Sequence, residues 1–224
     1  MSGKTCVTEI DELQIDALKE LGNVGASWAS TALSKFAMKD MLIDVTQCHT
    51  EPLNKMPHWF DRPGETVAII TIDINGSDKD HILMLFPKNI ITWLSDLLFG
   101  RAHDPARNLA EDDKDALVEM GDICIREYLN PISRFLGTDM MPTPPTVYID
   151  IVGPQQSFPE WVLKTHADHQ VWIETNFVDA TKTFQGSIIF IPEKETQELT
   201  FKKFGVDTET QMAIFAKFGV STIC

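Results

Sequence analysis

One polar pattern occurs twice in this chain, about a hundred residues apart. Asp16-x-x-x-Glu20-Leu21-Gly22-Asn23 returns as Asp115-x-x-x-Glu119-Met120-Gly121-Asp122, at a constant offset of 99 residues. A duplicated sequence needs only its apolar pattern to keep its fold. A repeated series of acids and an amide beside a glycine therefore points to a surface with a task. The copies end differently, on Asn23 and on Asp122.

The repetition extends to the order of elements. Residues Thr8 to Ala37 read as a long helix, because Thr8-x-x-Asp11 resembles a capping start and Leu18, Leu21, Gly25, Trp28 and Ala32 fall on one apolar stripe. Asp16, Glu20 and Asn23 share another stripe, at i, i+4 and i+7. Strand-like runs follow at Met41 to Cys48, Glu65 to Ile74 and His81 to Phe86, the last two joined by Asn75-Gly76-Ser77-Asp78. Pro87 opens a helix from Lys88 to Phe99, stopped by Gly100. The second half repeats this with a helix from Glu111 to Phe135 and strand-like runs at Thr146 to Val152, His169 to Val178 and Thr183 to Ile191. A last helix lies between Pro192 and Gly205, offset by 105 from Pro87 and Gly100.

The expectation is an α+β fold built from duplicated helix/three-strand/helix repeats, about 8–105 and 106–205. Each half alone would leave a sheet face and its edge strands uncovered, so the halves are expected to join into a single domain, 1–224, with pseudo-two-fold symmetry. Residues 206–224 form a C-terminal extension in which Thr208 to Phe218 reads as one more short helix.

Composition excludes several function classes. Lysine and arginine number 19 against 33 acids, a net charge of −14, and no basic patch offsets it, which disfavours nucleic acid and anionic membranes. The N-terminal MSGKTCVTEI lacks the apolar region of a signal peptide and no apolar run approaches a membrane span, so a cytoplasmic location is expected. Cys6, Cys48, Cys124 and Cys224 show neither metal-ligand spacing nor a disulfide framework, and Cys224, as the last residue, cannot form a prenylation box. His166-x-x-His169 lacks a third ligand nearby, and Glu111, Asp112, Asp113 and Asp115 read as acids favoured at a helix N-terminus. No metal site is expected, and neither a phosphate-binding loop nor a nucleophile elbow occurs.

Gly22, Gly25 and Gly121 lie inside helical patterns, where each costs about 1 kcal/mol relative to alanine. For Gly25, on the apolar stripe, close packing accounts for the glycine. For Gly22 and Gly121, between the glutamate and the amide or acid, two readings stand: close packing, or approach of a partner's backbone to the polar stripe.

The run from Asp16 to Ala26, the following Ser30-Thr31-Ala32-Leu33-Ser34, and Glu51-Pro52-Leu53 resemble the CheC/CheX/FliY family of chemotaxis phosphatases, and most closely its CheC members. The family pattern is Asp or Ser, three residues, Glu, two residues, Asn, then twenty-two residues and Pro, carried twice in CheC. The resemblance covers residues 8–205. It departs in two places: Thr46 stands where the first copy should have proline, and Asp122 stands at the second amide, although the second proline is present as Pro145. A proline at this position would set the start of the first strand by fixing φ.

The resemblance implies hydrolysis of the phosphoaspartate on a CheY-like response regulator. Glu20 and Asn23 would be the catalytic pair, with Glu119 and Asp122 a possible second, degenerate site, and with Asp16, Gly22, Asp115, Gly121 and Pro145 supporting the motifs. In the family the regulator supplies Mg²⁺, so the chain needs no cofactor of its own; the glutamate pairs with a regulator lysine, and the asparagine orients the attacking water. A carboxamide both donates and accepts, whereas an ionised Asp122 cannot donate and brings negative charge toward a phosphoryl group. The resemblance also implies CheD as a possible partner, through residues of about Glu193 to Phe204. The alternative it carries is a non-catalytic adaptor that binds a response regulator, CheD or the flagellar switch.

Overall fold

The β-branched runs of the sequence pair into one antiparallel sheet to which both halves of the chain contribute. In the computed structural model, which describes residues 10–51, 64, 66–75, 80–151, 171–181 and 185–217, the first half forms α1 (Glu12–Ala37), β1 (Met41–His49), β2 (Thr66–Asn75), β3 (Asp80–Pro87) and α2 (Lys88–Leu98). The second half forms α3 (Glu111–Leu136), β4 (Met141–Pro142), β5 (Thr146–Ile151), β6 (Trp172–Asp179), β7 (Gln185–Ile191) and α4 (Lys194–Phe204), followed by α5 (Thr208–Lys217). The sheet order is β1-β6-β7-β3-β2, with β4 and β5 end to end along the outer side of β2.

Each half gives away its first strand. β1 pairs with β6 from Met41 opposite Asp179 to His49 opposite Trp172, and β5 pairs with β2 from Thr146 opposite Thr71 to Ile151 opposite Thr66. β3 and β7 meet at the centre. Neither half can complete its sheet alone, because its edge is covered by a strand from the other.

Prolines explain why one edge is continuous and the other broken. β1 runs nine residues as one strand, with a bulge between Ile43 and Val45, whereas Pro142, Pro144 and Pro145 divide the corresponding stretch into β4 and β5. Proline supplies no amide donor, and an edge tolerates that loss. Thr46 lies inside β1, paired with Thr175, as the strand-like run from Met41 to Cys48 implied, whereas Pro145 stands directly before β5.

The helices α1 and α3 pack on one face of this sheet. Leu18, Leu21, Ala26, Ala29 and Leu33 of α1 and Leu117, Met120, Ile125, Tyr128 and Ile132 of α3 join Ile70, Ile72, Met84, Phe86, Ile173, Ile188 and Phe190 in a single core. On the opposite face Ile69, Leu83, Leu85, Trp172, Ile189 and Ile191 are buried as well. Burial on both faces accounts for central strands that read as nearly continuous apolar runs. Polar side chains on that second face are joined in a chain: His49 Nε2 lies 3.1 Å from Glu174 Oε2, Asn176 Nδ2 donates to Glu174 Oε1 at 3.0 Å, and Ser187 Oγ donates to Asn176 Oδ1.

Local chemistry sets the ends of the helices. α1 starts four residues later than Thr8, because Asp11 caps it: Asp11 Oδ1 accepts from Gln14 N–H at 2.9 Å and Gln14 Oε1 accepts from Asp11 N–H at 3.2 Å. Thr8 lies outside the described residues, as do Pro52, Leu53, the turn at 76–78, His166, His169, Cys6 and Cys224. α3 has no side-chain cap at Ala110; Asp113 reaches back to accept from Ala110 N–H at 2.6 Å. Asp80, at the start of β3, accepts from Glu193 N–H at 2.7 Å and Thr196 Oγ1 at 2.8 Å, which ties the first turn of α4 to the sheet. Burial pushes the Asp80 carboxyl up to about 6 against these two hydrogen bonds. The extension folds back onto the start of α1, where Gln14 Nε2 donates to Val206 O and Gln211 Nε2 to Asp11 Oδ2, each at 3.4 Å.

A buried charge cluster holds the α2–α3 connection. Arg107 donates to both oxygens of Asp113, at 2.5 and 2.8 Å, and to Asp96 Oδ1 at 2.9 Å, and both acids are buried. Burial alone would raise the Asp113 pKa, but Arg107 and the Ala110 amide hold it down to about 2. The acids at the start of α3 are thus not equivalent, since Asp113 is clamped inside while Glu111, Asp112 and Asp115 are exposed. Arg107→Ala, which leaves two buried carboxylates without their cation, is expected to cost about 3–5 kcal/mol in denaturant unfolding. Because the Asp113 pKa is depressed in the folded state, its contribution is present above the unfolded value of about 4 and disappears as pH falls through about 2. A stability profile from pH 7 to pH 2 should show that loss in the wild type and a flatter acid limb in Arg107→Ala.

Candidate functional site on the paired helices

Glycine decides how the motif helices sit. A Cβ added to Gly22 would lie 2.6 Å from Ile173 Cγ2 and 3.0 Å from Thr46 Cγ2; one added to Gly121 would lie 3.2 Å from Ile70 Cγ2 and 3.7 Å from Pro145 Cβ. Both glycines are buried against the sheet, on the side of the helix away from solvent. Of the two readings of these glycines, close packing holds and approach of a partner's backbone does not, because strand side chains occupy that space. Thr46 and Pro145, the two versions of the motif's distal position, are among the residues that the glycines face, next to Ile173 and Ile70. Gly25 packs against Tyr128 and Ile132 of α3, as its place on the apolar stripe implied.

With the glycine side turned inward, the polar stripe faces out. Asp16, Glu20 and Asn23 are exposed on α1, and Asp115 and Glu119 are exposed on α3, with Asp122 half-buried. Asn23 Nδ2 donates to Glu20 Oε2 at 3.3 Å, so carboxylate and carboxamide act as one unit whose Asn23 Oδ1 remains an acceptor. Asp16 pairs instead with Lys19 at 3.2 Å, an exposed contact of little energetic weight. The second motif is wired differently. Arg126 Nε donates to Asp122 Oδ2 at 2.8 Å, while Glu119 makes no ion pair among the described residues. The place of Arg126 is taken by Ser27 in the first copy.

The two motifs do not merge into one site. Gly25 lies opposite Tyr128 and Ile132, while Thr31 and Phe36 share a groove with Ile123, so α1 and α3 run antiparallel. Asn23 and Asp122 are consequently about 15 Å apart along the helix axes, from ten residues of helical rise. Trp28, expected on the apolar stripe, is 45% exposed and lines this groove, beside the close contact of Gly25 with Tyr128 and Ile132. Sequence reasoning also missed Arg126, for which the i, i+4 spacing from Asp122 was the available signal.

Among the described residues no group of three or more His, Cys, Asp or Glu side chains converges as a metal site, and no helix is long and apolar enough to cross a membrane. Cys48 and Cys124 are free thiols that burial pushes up to about 12, which leaves them unreactive at neutral pH.

The chain is thus an α+β fold with Glu20-x-x-Asn23 facing outward on its first helix. No family model matches the chain. The CheY-P phosphatase CheC of Bacillus subtilis is 22% identical over 200 residues, 88% of this chain and 96% of that protein. FliY of Thermotoga maritima shares the fold with a TM-score of 0.66 at 18% identity, over 87% of this chain and 96% of that one. FliM of Helicobacter pylori, in its complex with SpeE, shares it with a TM-score of 0.55 at 13% identity, over 88% and 97%. Sequence relationship and shared fold together support the CheC/CheX/FliY family of chemotaxis proteins as the family of this chain.

The glycine packing yields a direct test. Gly22→Ala pushes a methyl group into Ile173 and Thr46, and overpacking of this kind costs about 1–3 kcal/mol. Gly121→Ala meets a looser contact, and its gain in helix propensity of about 1 kcal/mol offsets much of the strain. Thermal melts should show a clear fall for Gly22→Ala and little change for Gly121→Ala.

Proposed function

We propose that this protein hydrolyses the aspartyl phosphate of a CheY-like response regulator in the cytoplasm, with Glu20 and Asn23 as its working residues. The observation that carries this reading is the hydrogen-bonded Glu20–Asn23 pair standing free on the solvent face of a helix whose opposite face is seated on the sheet at Gly22. The relationship to a CheY-P phosphatase supports it.

Phosphoryl transfer depends mainly on placement and charge stabilisation, so the chain has little covalent chemistry to supply. Asn23 accepts a hydrogen bond from the attacking water through Oδ1 while its amide nitrogen is held by Glu20. The water oxygen bonds to phosphorus as the bond between phosphorus and the aspartyl oxygen breaks, leaving a free carboxylate and inorganic phosphate. Glu20, exposed beside it, is placed to meet a cation of the regulator. The Mg²⁺ belongs to the regulator, and nothing in this step requires a metal on the chain.

At the second motif, Asp122 presents only acceptors and is already engaged by Arg126. Arg126 offsets the charge of Asp122 without restoring a donor at that position. The second site therefore docks or idles. A docking protein without turnover is the competing reading, favoured by the fold shared with FliM in a complex. Under that reading the exposed face of α4, with Glu195, Glu198, Lys202 and Lys203, is available to CheD.

Phosphate release from phosphorylated regulators of the same organism distinguishes the two. Asn23→Ala should lower the rate about a hundredfold, the scale set by losing a positioning group, and Glu20→Ala should act similarly. Asp122→Ala should leave the rate nearly unchanged, and Asp122→Asn combined with Arg126→Ser should add activity. A large loss in Asp122→Ala alone would reverse the assignment of the sites, and stoichiometric protection without turnover would establish the docking reading.

A further inference from the structure

Between α1 and α3 runs an open groove of about 690 Å³ that the reaction itself does not use. Trp28, 45% exposed, and Ile123, 39% exposed, form its apolar walls, with Thr31 and Phe36 on the α1 side and Glu127 across from the Trp28 turn. It begins at Ser27, one turn beyond Asn23 on the same stripe, and Thr31 lies about 12 Å from Asn23 along the axis, from the helical rise.

A specific protein interface covers about 800 Å² on each partner, a patch well over 20 Å across. Any protein whose active site receives Glu20 and Asn23 therefore extends over this groove. Large half-exposed aromatic side chains in a concave surface are the usual anchors of such interfaces. The charge around it fixes the character of the partner: among the described residues Glu127 and Glu119 make no ion pair and Glu20 accepts only from Asn23, and Lys35 is the single basic group of the lining, at the end away from Asn23.

We propose that the Trp28–Ile123 groove is the specificity contact for the regulator, receiving an apolar side chain flanked by a lysine or arginine from the receiver surface beside the phosphoaspartate. This rests on the reading of α1 as the regulator-facing helix. Glu20 and Asn23 act on the phosphoryl group, which all receivers share, while the groove reads the neighbouring surface, which differs between them. Trp28 and Ile123 thus set which regulator is bound.

The test uses the full chain and receiver proteins of the same organism, phosphorylated with acetyl phosphate for turnover and treated with beryllofluoride for binding. Trp28→Ala removes the anchor and Thr31→Arg fills the groove from an exposed position. Both should raise the half-saturating regulator concentration at least about fivefold with kcat within about twofold, whereas Asn23→Ala lowers kcat with binding retained. Both should weaken beryllofluoride-regulator binding to the same extent, and thermal melts matching the wild type confirm that the fold is intact. Unchanged half-saturation and binding in both variants would overturn the groove assignment while Asn23-dependent turnover stands. Absence of wild-type turnover on every regulator, with binding still lost in Trp28→Ala, would remove the phosphatase reading and keep the groove. A concentration-dependent self-association abolished by Trp28→Ala, with regulator binding intact, would assign the groove to a second copy and overturn the proposal.

Discussion

The close seating of α1 and α3 on the sheet at two buried glycines governs the rest of the structure. With Ile173 and Thr46 beneath Gly22, and Ile70 and Pro145 beneath Gly121, each helix is fixed in height and in rotation about its axis. Rotation is what matters for chemistry. Asn23 and Glu20 lie about 100° and 160° round the helix from Gly22, so the same contact that buries Gly22 presents both to solvent. A larger residue would lift the helix, loosen the α1–α3 contact at Gly25 and misdirect the pair.

Strand exchange gives that seating its rigidity. The strand under Gly22 is β6, from the second half, flanked by β1 from the first; the strand under Gly121 is β2, flanked by β5. Each motif helix thus rests on a strand from the opposite half, and displacement of either would disturb both. The Arg107 cluster and the Asp80 contact with α4 fasten the connections at the ends of the same unit. The two motif sites share one scaffold and differ only in their outermost atoms, a carboxamide held by Glu20 in one and a carboxylate held by Arg126 in the other.

Much of this was legible in the chain. The element order followed from periodicity and from Pro/Gly punctuation, since Pro87 and Gly205 stand at the helix ends where they were expected. The start of α1 was misplaced because Thr8-x-x-Asp11 and Asp11-x-x-Gln14 both look like capping boxes, and it is Asp11 that caps the helix, with both hydrogen bonds of its box formed. The role of Gly22 and Gly121 was open for a related reason: a glycine between polar neighbours carries no mark of which way it points. Trp28 misled because its hydrophobicity placed it on the apolar stripe, while the close contact with α3 falls at Gly25 and Trp28 lines the groove beside it.

The sequence by itself determined the α+β element order, the duplicated polar pattern and the difference between Asn23 and Asp122, because these depend on local periodicity and side-chain chemistry. The tertiary structure decided which face of each motif helix meets water, that the two motifs lie at separate points along an antiparallel pair, and that a groove opens between them. Those features depend on contacts between residues more than a hundred positions apart, from Gly22 to Ile173 and from Gly25 to Ile132, which no local pattern encodes.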